Sequence, residues 1–188
     1  MKKWLSIGLL ALGLSLFGHG VYMQAKAWLA QVLIEQAWQR ALKSPNKKIK
    51  PWFYADSYPV AQIIWPKHNK RLTVLDGASG RNLAFAPSHF LPAGELGGAD
   101  FGNSQGALIA GHNDTHFAFL KNAKVGEQFS LQLKNGQVQH YSVTHVEVIN
   151  QYNTDFLQQS GLYLLTCYPF GSLASGTDLR WLVSAEIS

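Results

Sequence analysis

Residues 128–150 read QFSLQLKNGQVQHYSVTHVEVIN, and this stretch decides the fold class. Phe129, Leu131 and Leu133 alternate with Gln128, Ser130 and Gln132. A period of two puts one face of a strand in the core and the other in water. Asn135-Gly136 then supplies a tight hairpin turn in which both central positions need positive φ. In the returning strand Tyr141 and Val143 share one face while Val146 and Val148 share the other. That change of phase near Thr144 predicts a β-bulge.

The same alternation, bounded by Gly, Pro, Asn and Asp clusters, extends to either side. It predicts strands over Val60 to Trp65, Arg71 to Leu75, Asn82 to Ala86, Gly106 to His112, Gln128 to Leu133, Gln137 to Asn150, Leu162 to Cys167 and Leu179 to Glu186. Short strands with no long helices between them point to a closed barrel or a sandwich. A chain of 188 residues, 47% apolar and 14% charged, fits one globular domain with an added apolar segment. There is no internal repeat.

The added segment is N-terminal. Met1-Lys2-Lys3 precedes an apolar run from Leu5 to Phe17, which continues through Gly18-His19-Gly20 to Met23. With that continuation it reaches the ~20 residues a spanning helix needs. Ala25-Lys26-Ala27 resembles a small-x-small cleavage site. Against cleavage, Ala25, Trp28, Leu29, Val32, Leu33, Ala37, Ala41 and Leu42 continue at helical spacing until Ser44-Pro45. The expected organisation is a retained anchor over 1–24, an amphipathic helix and basic linker over 25–51, and a β-rich domain over 52–188. Lys2 and Lys3 put the N-terminus on the cytoplasmic side and the domain outside the inner membrane, as a single-pass protein.

The net charge of +5 is concentrated at this end. Lys2, Lys3, Lys26, Arg40, Lys43, Lys47, Lys48 and Lys50 face Glu35 alone, whereas the chain from Pro51 onward is slightly acidic. Attraction to anionic lipid accounts for that pattern better than nucleic acid does. A single cysteine, Cys167, excludes an intrachain disulfide and a paired-cysteine metal site. It is either a small buried hydrophobe or a reactive thiol, and its place where an apolar strand meets Tyr168-Pro169-Phe170-Gly171-Ser172 favours the second. His112 ends another apolar run, Ala107-Leu108-Ile109-Ala110, behind Gly111. Arg180 stands among Leu179, Trp181, Leu182 and Val183, where a charge needs a partner, and Asp178 is the simplest candidate.

Together Leu164-Leu165-Thr166-Cys167, Gly111-His112 and Leu179-Arg180 before Trp181-Leu182-Val183 resemble the sortase family, the membrane-anchored cysteine transpeptidases of bacterial surfaces. The resemblance runs from about Val60 to Val183, with Phe85-Ala86-Pro87-Ser88-His89 and Gly102-Asn103 also similar. The sequences Ile109 to Phe117 and Thr166 to Phe170 are most similar to the Gram-negative class, the GN sortases. Where family members often have Arg after Gly-His, this chain has Asn113. The resemblance implies an all-β fold, an eight-stranded barrel with short helical turns, whose active site lies at strand ends.

The implied chemistry follows from the groups. Cys167 as thiolate attacks a peptide carbonyl to give a thioester. His112 protonates the leaving amine and later accepts a proton from the incoming one. A free cysteine titrates near pH ~8.5 unless a nearby cation lowers it, and Arg180 carries such a charge permanently, with donors for an oxyanion. By resemblance, Thr166 lies against the substrate or helps the oxyanion site. His116 is not the catalyst on this reading, because it falls beside Phe117 and Phe119 in a short helical turn. The implied partner is an exported protein with a Leu-Pro-x-Thr-Gly-like signal, cut after Thr and passed to an amine acceptor. No cofactor or metal is expected, since Glu95, Asp100, Asp114 and Glu127 lack calcium-loop spacing. The other readings are an L,D-transpeptidase, whose Ser-His-Gly-Cys type signature is absent around Cys167, and a membrane-tethered binding module with a structural cysteine.

Overall fold

The computed structural model describes residues 2–91, 93–97, 106–172 and 176–188, and the side chains of 2, 3, 5–7 and 11 are left aside. Gly102-Asn103 and Asp100 therefore lie outside the described residues. The elements are α1 (Lys2–Lys43), β1 (Pro59–Trp65), β2 (Lys70–Asp76), the single turn α2 (Gly80–Leu83), β3 (Ser88–His89), β4 (Ala107–Ala110), β5 (Gln128–Leu133), β6 (Val138–Asn150), β7 (Leu162–Cys167) and β8 (Leu179–Ile187). The strands close a barrel in the order β1-β2-β3-β4-β7-β8-β6-β5. β2 runs parallel to β3 and β4 parallel to β7, while the other neighbours are antiparallel.

Alternation along each strand fills the interior. Trp65, Ile109, Phe129, Leu131, Leu162, Leu164 and Val183 meet there in one cluster. Trp65 stacks on Phe129 at 4.5 Å between ring centroids, and Phe129 stacks on Tyr141 at 5.6 Å. The bulge expected near Thr144 is present, as the register between β6 and β8 shifts between Val143 and His145.

The structure corrects the hairpin turn. Leu133 N–H donates to the Gln137 carbonyl, so the loop holds Lys134, Asn135 and Gly136 rather than two residues. Only Gly136 has positive φ, at 87°, while Asn135 Oδ1 accepts from Gln137 N–H at 3.0 Å. This is the three-residue form with glycine at the left-handed position.

The third strand is also displaced. Ser79 caps α2 by accepting from Asn82 N–H, and the Asn82 amide donates to the Asp76 and Gly77 carbonyls. Those local bonds outweigh the weak alternation of Asn82 to Ala86. The strand forms instead at Ser88–His89, between β2 and β4.

α1 is one continuous helix that stops before Ser44-Pro45, as expected. Its second half lies on β1 and β2. The buried stripe is Ala30, Ile34, Ala37, Trp38 and Ala41, so the expected stripe through Ala25, Trp28 and Leu29 is rotated. Polar bonds set that phase: Glu35 Oε2 accepts from Gln62 Nε2 and from Thr73 Oγ1, each at 3.1 Å. Small alanines bring the helix close, and Trp38, 0% exposed, fills the seam; burial of that kind is worth about 3–5 kcal/mol against alanine. Toward the N-terminus Leu9, Leu10, Leu12, Leu14, Leu16, Phe17, Val21, Tyr22 and Met23 are exposed. Among the described residues, no helix is long and apolar enough to cross a membrane.

Candidate active site

The parity of three adjacent strands places the candidate residues. In β7, Leu162 and Leu164 face the barrel interior, whereas Tyr163 and Leu165 belong to a second apolar cluster on the outer face. Cys167 follows in the outer phase. In β8, Val183 and Ala185 face inward and Leu182 outward, which puts Arg180 outward too. In β4, Ile109 faces inward and Leu108 outward, and the alternation carried through Gly111 turns His112 outward. All three chemical groups thus share one face.

Register then brings their ends together. Cys167 is the direct cross-strand partner of Arg180. β4 and β7 pair in parallel up to Ala110 opposite Leu165, and Gly111 N–H extends the ladder to the Leu165 carbonyl at 3.1 Å. One step further sets His112 beside Cys167. With strands about 4.8 Å apart, His112, Cys167 and Arg180 span roughly 10 Å across β4, β7 and β8.

The imidazole of His112 is exposed and the thiol of Cys167 half-buried, so a fully enclosed structural cysteine is not what the fold makes. Two bonds tie the loops at this edge. Asn113 Nδ2 donates to the Pro169 carbonyl at 3.2 Å, joining the segment after His112 to the one after Cys167. Beyond Cys167, Tyr168 stacks on Trp181 at 5.7 Å and Phe170 meets the same ring edge-on.

Arg180 is held differently from the sequence expectation. Its Nη1 donates to the Thr177 carbonyl at 2.6 Å and the Leu179 carbonyl at 2.8 Å, and its Nη2 donates to Gln151 Oε1. Among the described residues it has no carboxylate partner; Asp178 accepts instead from Gln151 Nε2 at 2.6 Å. Gln151 therefore stands between the two charges. Among the described residues, the Nε–H and the second Nη2–H meet no acceptor. No sequence pattern marked Gln151, because its contact is made from the end of β6, the strand paired with β8 but distant along the chain.

Thr166 faces inward, 3% exposed, and its hydroxyl donates to the Gly111 carbonyl at 2.6 Å. That bond fixes the backbone just before His112 to the backbone just before Cys167. Gly111 itself is packed: a Cβ there would lie 2.8 Å from the Phe117 ring. His116 is half-buried in the turn after His112 rather than in the helical turn that follows, which begins at Ala118. Burial first, and then the charge of His112, pull its imidazole below the ordinary histidine range. Among the described residues no group of three His, Cys, Asp or Glu side chains is placed to hold a metal ion.

Comparison with known proteins agrees with the barrel fold. The family model for the sortase domain matches residues 63–188. Sortase A from Corynebacterium diphtheriae superposes with a TM-score of 0.60 at 19% identity, over 85% of this chain and 84% of that one. Sortase C-1 from Actinomyces oris gives 0.57 at 28% identity, over 71% and 76%. A sortase D5 transpeptidase from Clostridium perfringens gives 0.59 at 18% identity, over 85% and 96%. No curated protein sequence matches significantly.

Proposed function

The chain belongs to the sortase family, the cysteine transpeptidases, and from that premise we propose that His112, Cys167 and Arg180 carry its reaction on a Leu-Pro-x-Thr-Gly-like sorting signal. The observation that carries this assignment is their convergence on one outer face at the ends of β4, β7 and β8. Cys167 Sγ, as thiolate, attacks the carbonyl carbon of the residue before the scissile bond, and the C–N bond breaks as the leaving amine takes a proton from His112. The thioester holds the acyl group. An incoming amine then attacks it, gives a proton to His112, and the thiolate leaves, so that one peptide bond is exchanged for another. Arg180 lies across from the thiol with donors to spare and holds the charge of the tetrahedral oxygen. Thr166 serves by bracing Gly111, since its hydroxyl is already engaged on the inner side.

The anchor is part of the proposal. Residues 1–24 would span the inner membrane once, with the remainder of α1 and the linker over 25–51 carrying the domain of 52–188 on its extracytoplasmic side. The exposed apolar side chains along the first half of α1 support this. Confinement of enzyme and substrate to one membrane raises their effective concentration. The motif sequences around His112 and Cys167 favour the Gram-negative class.

The deciding experiment mixes the domain with sorting-motif peptides and follows Cys167 by intact-mass spectrometry. An acyl adduct is expected, lost in Cys167→Ala. A thiol that reacts with general alkylating reagents but with none of the peptides refutes the substrate assignment. Partition of the full chain into the membrane fraction, abolished by removal of residues 1–24, tests the anchor.

A further inference from the structure

We propose that Gln151 is a positioning residue for Arg180: it bonds the guanidinium with one end of its amide and Asp178 with the other, and so keeps the two charges from pairing. The inference rests on the reading of Arg180 as the group that holds the tetrahedral oxygen. Opposite charges two residues apart would ordinarily meet, yet here each goes to the same glutamine. Gln151 Oε1 accepts from Arg180 Nη2, and Gln151 Nε2 donates to Asp178 Oδ1 at 2.6 Å. A carboxamide is neutral and carries an acceptor at one end and donors at the other, so it satisfies a cation and an anion at once without neutralising either. A carboxylate in contact with Arg180 would instead cancel much of its attraction for a developing oxyanion.

Backbone bonds hold both sides of this bridge. Gln151 directly follows β6, where Asn150 pairs with Leu179, and its own N–H donates to the Asp178 carbonyl at 2.7 Å. The turn beyond it is closed on Asn150, whose Oδ1 accepts from Tyr152 N–H and whose carbonyl accepts from Asn153 N–H, each at 3.0 Å. On the other side, Arg180 Nη1 is fixed by the Thr177 and Leu179 carbonyls. The Leu179 carbonyl also accepts from Tyr168 N–H at 3.1 Å, so the oxygen that holds the guanidinium also holds the residue after Cys167. Gln151 and Arg180 are half-buried, whereas Asp178 is exposed. Loss of the Gln151 amide would therefore free the Nη2 edge and the Asp178 carboxylate together, and they would find one another.

The test uses the full chain, with a sorting-motif peptide as acyl donor and glycinamide as a simple amine acceptor. Gln151→Ala and Gln151→Leu should each lower kcat about tenfold with little change in KM, short of the ~100-fold that loss of an oxyanion donor costs. Asp178→Asn alone should keep the parental rate. Added to either Gln151 variant, it should restore most of the lost rate, because no carboxylate is left to pair with Arg180; a merely structural role for Gln151 gives no such coupling. Gln151→Glu keeps the shape but sets a carboxylate on Nη2, so it should lose at least as much as Gln151→Ala and should not be rescued by Asp178→Asn. Melting curves identify any variant that misfolds, and the other substitutions at Gln151 then carry the comparison. Parental kcat in Gln151→Ala and Gln151→Leu would overturn the proposal, as would a loss that Asp178→Asn leaves uncorrected. Arg180→Ala separates the two levels: if it is dead while Gln151→Ala is parental, only this inference falls, whereas an active Arg180→Ala removes the reading of Arg180 beneath it.

Discussion

Replacing Gly111 by alanine tests the local packing that presents His112. An added Cβ would stand 2.8 Å from Phe117 Cδ2 and Cγ and 3.2 Å from Cε2. Carbon atoms rest about 3.5–4.0 Å apart, so ring or backbone must give by roughly 0.7 Å. The ring has nowhere to go. Phe117 is 0% exposed, belongs to the barrel core, and meets Phe119 edge-on at 6.2 Å. The backbone is restrained as well, with Gly111 N–H on the Leu165 carbonyl and its own carbonyl on Thr166. Overpacking of this kind costs about 1–3 kcal/mol, which for a chain of this length lowers Tm by about 4–8 °C at the midpoint of that range. A fraction of that displacement passed to His112 should lower kcat about tenfold or more. Calorimetry and steady-state transpeptidation on Gly111→Ala measure both, and Phe117→Leu in the same background should restore part of each. Parental Tm and kcat together would refute the close approach; a lowered Tm with parental kcat would show that Gly111 does not control the placement of His112.

Arg180→Lys should lose about 100-fold in turnover while still folding, because an ammonium cannot reproduce the fork that reaches Gln151 and the Thr177 and Leu179 carbonyls. Asp178→Asn should be nearly silent, since its contact is to Gln151; equal damage in the two variants would restore the ion-pair explanation. Thr166→Val keeps shape but strands the buried Gly111 carbonyl, with an expected cost of about 1–3 kcal/mol, and an unchanged Tm would show that the bond carries no stability. Burial pushes the Glu127 carboxyl up, but Lys67 at 2.8 Å and His68 at 2.7 Å outweigh it and hold it below the usual carboxylate range. Its contribution is then present above the ordinary glutamate range and lost as pH falls through the lowered value. Glu127→Gln should therefore reduce Tm at neutral pH and flatten the decline toward acid, and parallel Tm curves for the two proteins would contradict that sign.

Legibility in the sequence follows the strength of the local pattern. β5 and β7 match their predicted limits because strict alternation, or a fully apolar run, leaves one arrangement that buries the apolar side chains. The bulge at Thr144 was readable for the same reason, as a break in phase. Asn82 to Ala86 misled because its alternation is weak and Ser79 and Asn82 offer the backbone nearer partners. The rotated stripe of α1 has a related cause. Exposed Trp28 and Leu29 satisfy a helical period as well as Ile34 and Trp38 do, and only the bonds from Glu35 to Gln62 and Thr73 decide between faces.

The candidate site divides along the same line. His112, Cys167 and Arg180 were visible because each closes or opens an apolar strand, where a reactive or charged side chain stands out against its neighbours. Their supports were not. Gln151 and Asn113 are polar residues whose partners, Arg180 and Pro169, lie far along the chain, and an amide side chain at a strand end has no periodicity to mark it. Arg180 shows how this misdirects: Asp178 is its nearest carboxylate in sequence, so proximity along the chain suggested an ion pair. Pairing of β6 with β8 brings Gln151 from the end of β6 between them, and among the described residues no carboxylate neutralises the guanidinium, which belongs to the cross-strand partner of Cys167. A permanent charge so placed is of use to a thiolate and to a developing oxyanion, whereas one already paired with Asp178 would serve neither.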